Sequence, residues 1–114
     1  MLPKIYRLKK RSDFSNLLKN GKTFGVKHLF LKAVKNNLEN SRIGFVVSRK
    51  ISNKATVRNK IKRRLRETAR GLLKEIKEGY DLAFFAKKDI DRISFIEIKK
   101  EVEDCLVGIK ILKK

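Results

Sequence analysis

The sequence has a single cysteine, a single histidine, a single proline and only 12 Asp and Glu among 114 residues. One thiol, Cys105, rules out an internal disulfide. With His28 the only imidazole, no Cys/His zinc site can be assembled. Such cysteine usage fits a reducing, cytoplasmic setting. No Pro/Gly/Ser-rich stretch marks a linker and no repeat occurs, so residues 1–114 read as one domain. No apolar run approaches the roughly 18 residues of a spanning helix. The basic opening MLPKIYRLKKRSDF has no apolar segment behind it and does not read as a secretory signal. Asp13, Asp81, Asp89, Asp91 and Asp104 are scattered, whereas a metal-dependent nuclease needs clustered carboxylates.

What the chain does have is cations. Its 31 Lys and Arg give a formal net charge of +19, while 41% apolar residues suffice for a small core and argue against wholesale disorder. A compact chain of that charge repels itself and attracts phosphate. With no membrane-spanning segment in prospect, nucleic acid is the simplest partner.

Residues 1–11 read as a basic extended arm. Ser12 has the chemistry of an N-cap, with Asp13 in the first turn, and Phe14, Leu17 and Leu18 lie at i, i+3, i+4 on one helical face. Gly21 suits a left-handed helix end. Residues 22–34 alternate and favour strand, with a break near Gly25. Residues 43–48 and 80–86 read as further strands. Between them Val57, Ile61, Leu65, Ala69, Leu72 and Ile76 make the core stripe of a long helix from about Asn53 to Lys77, with Gly79 as a stop signal. Ser94 and Glu97 form a capping box before a last helix with Ile98, Val102, Cys105, Leu106, Ile109 and Leu112 inward. The order helix, strands, helix, strand, helix predicts a small α/β sandwich with a mixed sheet.

The most informative stretch is ATVRNKIKRRLRE, residues 55–67. Arg58, Lys60, Lys62, Arg63, Arg64 and Arg66 lie along it, Lys54 precedes it, and only Glu67 opposes them. Cations fall in several rows around the exposed circumference: Arg58, Lys62 and Arg66 beside the core stripe, Arg63 and Arg70 further out with Asn59, and Lys60 with Arg64. Like charges four residues apart destabilise a helix by a few tenths of a kcal/mol per pair. Such repulsion along several rows implies a bound anion that relieves it. Arginine's planar fork suits bidentate phosphate contacts. Asn59 can bond a base or a 2′-hydroxyl, or cap the backbone; the residues alone leave both open.

This stretch resembles the RNR motif of the bacterial ribonuclease P protein subunit. Arg58 and Asn59 match its first two positions, Lys60 stands where Arg is usual, and Lys62, Arg63 and Arg66 match the later basic positions. RLKKRSDFSNLLKNGK resembles the family's opening, RIGFVVSRKI its central strand and GYDLAFFAKK its later strand, so the resemblance covers nearly the whole chain. The loop ISNKA departs from it, being one residue longer and lacking the common Gly. The resemblance implies an α+β, two-layer sandwich in αβββαβα order, with a left-handed βαβ crossover over residues 43–86. It implies a partner, the large catalytic RNA of ribonuclease P, which with Mg²⁺ removes the 5′ leader of precursor tRNA. Catalysis is then expected in the RNA, with no catalytic residue and no metal or cofactor held by the protein. No protein oligomer is required. Arg58, Asn59, Lys60, Lys62, Arg63 and Arg66, with Arg49 and Lys50 ahead of the helix, are the implied contacts to that RNA.

The resemblance also implies a cleft between the first helix and the sheet for the single-stranded leader, where aromatic platforms and cations are wanted. Phe14 falls on the family's cleft aromatic. Leu18 falls where a second aromatic is common, and Lys32 where some members have Tyr, so less stacking and more charge are expected. Core packing is the alternative for Phe14; Phe24, Phe30, Phe84 and Phe85 read as core or sheet-face residues. Two other functions share the charge and size: a ribosomal-type structural RNA-binding protein, and a stand-alone nuclease using His28 as a base.

Overall fold

The order α1 (Arg11–Asn20), β1 (Lys22–Gly25), β2 (Leu29–Lys35), β3 (Arg42–Val46), α2 (Ala55–Leu72), β4 (Tyr80–Ala86), α3 (Phe95–Gly108) is seen in a computed structural model that describes residues 7, 8 and 10–112. Most of the expected N-terminal arm lies outside those residues. The four strands form one mixed sheet in the order β1-β2-β4-β3. β2 pairs antiparallel with β1 and β4, while β3 pairs parallel with β4, with Ile43 beside Leu82 and Phe45 beside Phe84. The parallel pair is joined through α2, so residues 42–86 form the expected strand–helix–strand unit. This is the αβββαβα order of the α+β sandwich that the resemblance implies.

Register decides which residues are buried. Leu29, Leu31 and Ala33 of β2 share a face with Leu82 and Phe84 of β4 and Ile43 of β3. Against that face pack Ile61, Leu65 and Ala69 of α2 and Ile98, Val102, Cys105 and Leu106 of α3, making the main core. Fully burying each Leu, Ile or Phe contributes about 1.5 to 3 kcal/mol, so this layer carries most of the stability. The opposite face is only partly covered. There α1 lays one fully buried residue, Leu17, with Leu8 and Ala83 into a smaller cluster that Phe14, Val34 and Phe85 border.

Several helix ends differ from expectation. α1 begins at Arg11 with Lys10 at its cap, so Ser12 lies inside the helix and caps nothing. Gly21 follows α1 in extended backbone (φ −74°), not left-handed; its need is space, because a side chain there would strike the Leu17 carbonyl oxygen. α2 is shorter than the stripe suggests. It ends at Leu72, a single tight turn (Leu73–Glu75) follows, and Ile76 is buried outside the helix in a bridge to Leu112. Gly79 takes φ +85° and turns the chain into β4. Ser94 does cap α3, its Oγ accepting from the Glu97 N–H at 3.2 Å.

The sheet edges are held by long-range contacts. Arg7 bridges to Ile43, and the Leu8 N–H donates to the Ile43 carbonyl at 3.0 Å, covering the β3 edge. At the other side the turn between β1 and β2 is fastened to α3. His28 N–H donates to Glu101 Oε1 at 2.7 Å, and His28 Nδ1 lies 2.6 Å from Oε2. Lys87 Nζ donates to the Val26 carbonyl at 2.6 Å.

Candidate nucleic-acid interface

α2 presents its cations as the periodicity predicts. Ile61, Leu65, Ala69 and Leu72 are buried with Thr68, while Asn59, Lys60, Arg63, Arg66 and Arg70 are exposed. The helix start is electrostatically unusual. No side chain caps it at Lys54, and its first turn holds no acid. Cations near a helix N-terminus oppose the macrodipole, which favours anions there. Lys54 and Arg58 at an uncapped, acid-free start are therefore left without an anion to offset them in the first turn. Arg58 differs from its neighbours, being half-buried with Nη1 donating to the Ser52 carbonyl at 2.9 Å. It thereby fixes the loop before α2, in which Arg49 and Lys50 are exposed. Asn59 is exposed in the second turn of α2 and does not cap the helix.

The partly covered sheet face makes a second surface. Phe14 reaches over β3, where a side chain at Gly44 would come within 2.8 Å of its ring. Phe14 is half-buried, so it both packs and remains accessible. Leu18, one turn further along the same helical face, is 56% exposed. Lys32 lies on the open face, its Nζ donating to Thr23 Oγ1 at 2.8 Å. Beside it Phe30 and Phe85 stack in parallel with ring centroids 4.7 Å apart, both half-buried. The sequence favours core or sheet face over a stacking platform for both residues; they lie on the sheet face, and they stack there. The signal was available only through register, since β2–β4 pairing sets Phe30 directly opposite Phe85. Phe84 is core, as expected, and Phe24 presses on Gly108 at the end of α3.

A buried polar network anchors α1 over that face. Arg42 donates Nε to Asp81 Oδ1 at 2.9 Å and Nη2 to Oδ2 at 2.8 Å. Asn36 Nδ2 donates to the same Oδ1 at 2.9 Å. Arg42 Nη1 lies 3.2 Å from Asp13 Oδ2 in α1, an ion pair without hydrogen-bond alignment. Hydrogen bonding to Asp81 raises the Arg42 pKa above its usual value against the opposing effect of burial. Asp13 and Asp81 are thus committed to structure.

Among the described residues, no group of three or more His, Cys, Asp and Glu side chains is placed to hold a metal ion. His28 is buried against Glu101, and burial with the nearby Glu101 and Asp104 carboxylates pushes the Cys105 thiol up to about 12. Both are built into the fold. Among the described residues no helix is long and apolar enough to cross a membrane.

The family model described as Ribonuclease P matches residues 2–110. The chain belongs to the ribonuclease P protein family. Membership gives it a subunit role in tRNA 5′ processing. The ribonuclease P protein component of Caldanaerobacter subterraneus subsp. tengcongensis is 36% identical over 114 residues, covering 100% of this chain and 92% of the relative. The RNase P protein of Staphylococcus aureus superposes with a TM-score of 0.87 at 28% identity, covering 95% of this chain and 98% of that one. The RNase P protein of Thermotoga maritima does so with a TM-score of 0.80 at 34% identity, covering 88% and 94%. A ribosomal-type protein without a processing role is not favoured for this family member.

Proposed function

We propose that this ribonuclease P protein binds the catalytic RNA through α2 and the 5′ leader of precursor tRNA through its open sheet face. The observation that carries the reading is the separation of the two surfaces. Arg58, Asn59, Lys60, Lys62, Arg63 and Arg66, with Arg49 and Lys50 in the preceding loop, form one. Phe14, Leu18 and Lys32, extended by Phe30 and Phe85, form the other. In this reading the bond is cleaved by the RNA subunit with its Mg²⁺ in the cytoplasm. The protein supplies charge neutralisation and a grip on the leader. The departures at Leu18 and Lys32 leave stacking to Phe14 and the Phe30–Phe85 pair.

The leader surface has its own test. Base–aromatic stacking is worth about 1 to 3 kcal/mol per base. Phe85→Ala should therefore weaken binding of leader-bearing precursor tRNA by the assembled particle by about that amount. Binding of mature tRNA, and of the protein to the catalytic RNA, should be unchanged. Equal weakening of precursor and mature tRNA would remove the leader from this face.

A further inference from the structure

Lys60 and Arg64 leave α2 on the flank opposite Arg58, Lys62 and Arg66, toward the connection between β4 and α3. There they border a groove of about 530 Å³ whose far wall carries Asp91 and Arg92. The apolar lining is Val57, Ile61 and Ile93. Three cations and one carboxylate thus surround an apolar floor. Arg92 is 81% exposed at its side chain and makes only a long 3.7 Å contact to Asp89, so most of its donors remain available. Among the described residues no carboxylate pairs with Lys60 or Arg64. One turn further along the same seam the balance of charge reverses: Glu67, Glu75 and Glu103 outnumber Lys99 around the next groove, of about 370 Å³. The anion-attracting surface therefore has a boundary.

Duplex backbone lying on the crest of α2 would reach Arg63 and Arg66 and pass over a concavity of this kind. An unpaired nucleotide fits it better, since bases pack on apolar side chains and guanidinium planes while their phosphates take charge-assisted hydrogen bonds. We propose that this groove takes one unpaired nucleotide of the RNA bound by α2. Its base lies against Val57, Ile61 and Ile93, and its phosphate sits among Lys60, Arg64 and Arg92. Asp91 accepts a hydrogen bond from the 2′-hydroxyl or from a base amino group. The inference rests on the reading that α2 faces the catalytic RNA, and it adds Arg64, Asp91, Arg92 and Ile93 to that interface.

The test is nucleotide-resolution chemical probing of the catalytic RNA with the full chain, alongside affinity measured against salt. The wild-type protein should protect one unpaired nucleotide that becomes reactive with Arg64→Ala or with Arg92→Ala. Each variant should lower affinity about fourfold at physiological salt, the loss of one single-strand phosphate contact with a slope near 0.7. Glu103→Ala, beyond the boundary, should bind as wild type. If Arg92→Ala keeps wild-type affinity, slope and protection while Arg63→Ala weakens binding, the groove is not a nucleotide site although α2 still binds RNA. If Arg63→Ala also binds as wild type, the reading of α2 itself falls.

Discussion

Replacing Lys62, Arg63 and Arg66 together by alanine should lower affinity for the ribonuclease P catalytic RNA on the order of a hundredfold at physiological salt. Each duplex-like phosphate contact contributes about 0.9 to the slope of log affinity against log salt, so three contacts remove up to about 2.7. The two exposed arginines and the half-buried Lys62 are spread over two rows of α2. The same change should leave the fold intact or slightly firmer. Lys62 has Arg58 and Arg66 four residues to either side, and like charges at that spacing destabilise a helix by about 0.2 to 0.5 kcal/mol per pair. Alanine also has the higher helix propensity. Opposite signs for RNA affinity and thermal stability are the signature of charge kept for binding at a cost to the fold. Filter binding across a salt series, with thermal unfolding of the free protein, measures both. An unchanged salt slope would show that these side chains touch no phosphate.

The largest effect on stability is expected at Asp81. Its side chain is nearly fully buried and accepts from Arg42 twice and from Asn36 once. Asp81→Ala leaves the Arg42 guanidinium without its main partner, in a protein already carrying +19. Breaking a buried pair by removing one member costs about 3 to 5 kcal/mol. Arg42 keeps some exposure and the weaker Asp13 contact, so about 3 kcal/mol is expected, read from urea denaturation. Replacing both partners, Arg42→Met with Asp81→Leu, should recover most of the loss, because matched apolar residues can substitute for a buried pair. A loss under about 1 kcal/mol for Asp81→Ala would show that the network is incidental to the fold.

Helical features were the most legible in the sequence because they depend on nearby residues. The α2 stripe from Val57 to Leu72, the Ser94 cap and the turn at Gly79 are set by spacings of a few positions. β4 was read at its full length from a compact apolar run. What failed locally was competition among equivalent starts: Ser12 is a better cap than Lys10 by chemistry, yet the Lys10 carbonyl already accepts from the Asp13 and Phe14 N–H groups, so the helix begins earlier. Ile76 continued the helical stripe in sequence but is drawn off by its bridge to Leu112. The open face was invisible for a different reason. Alternation shows that Phe30 and Lys32 share a side, but not that Phe85 stands opposite, which needs the pairing of strands 55 residues apart. The Arg42–Asp81 and His28–Glu101 contacts likewise join segments far apart in sequence, 39 and 73 residues. The family resemblance supplied an order of elements that periodicity alone left loose, and it named Phe14 for the cleft. The Phe30–Phe85 stack came instead from strand register.

This protein is expected to act through RNA, carrying charge and leader recognition while the partner RNA does the chemistry. Reconstitution is the direct measurement: purified protein, bacterial ribonuclease P RNA and precursor tRNA, assayed for 5′ leader release at low Mg²⁺. The protein alone should cleave nothing, and combining protein with RNA should stimulate leader release strongly. Failure to stimulate that RNA at any salt or Mg²⁺ concentration, or cleavage by the protein after all RNA has been removed, would contradict it.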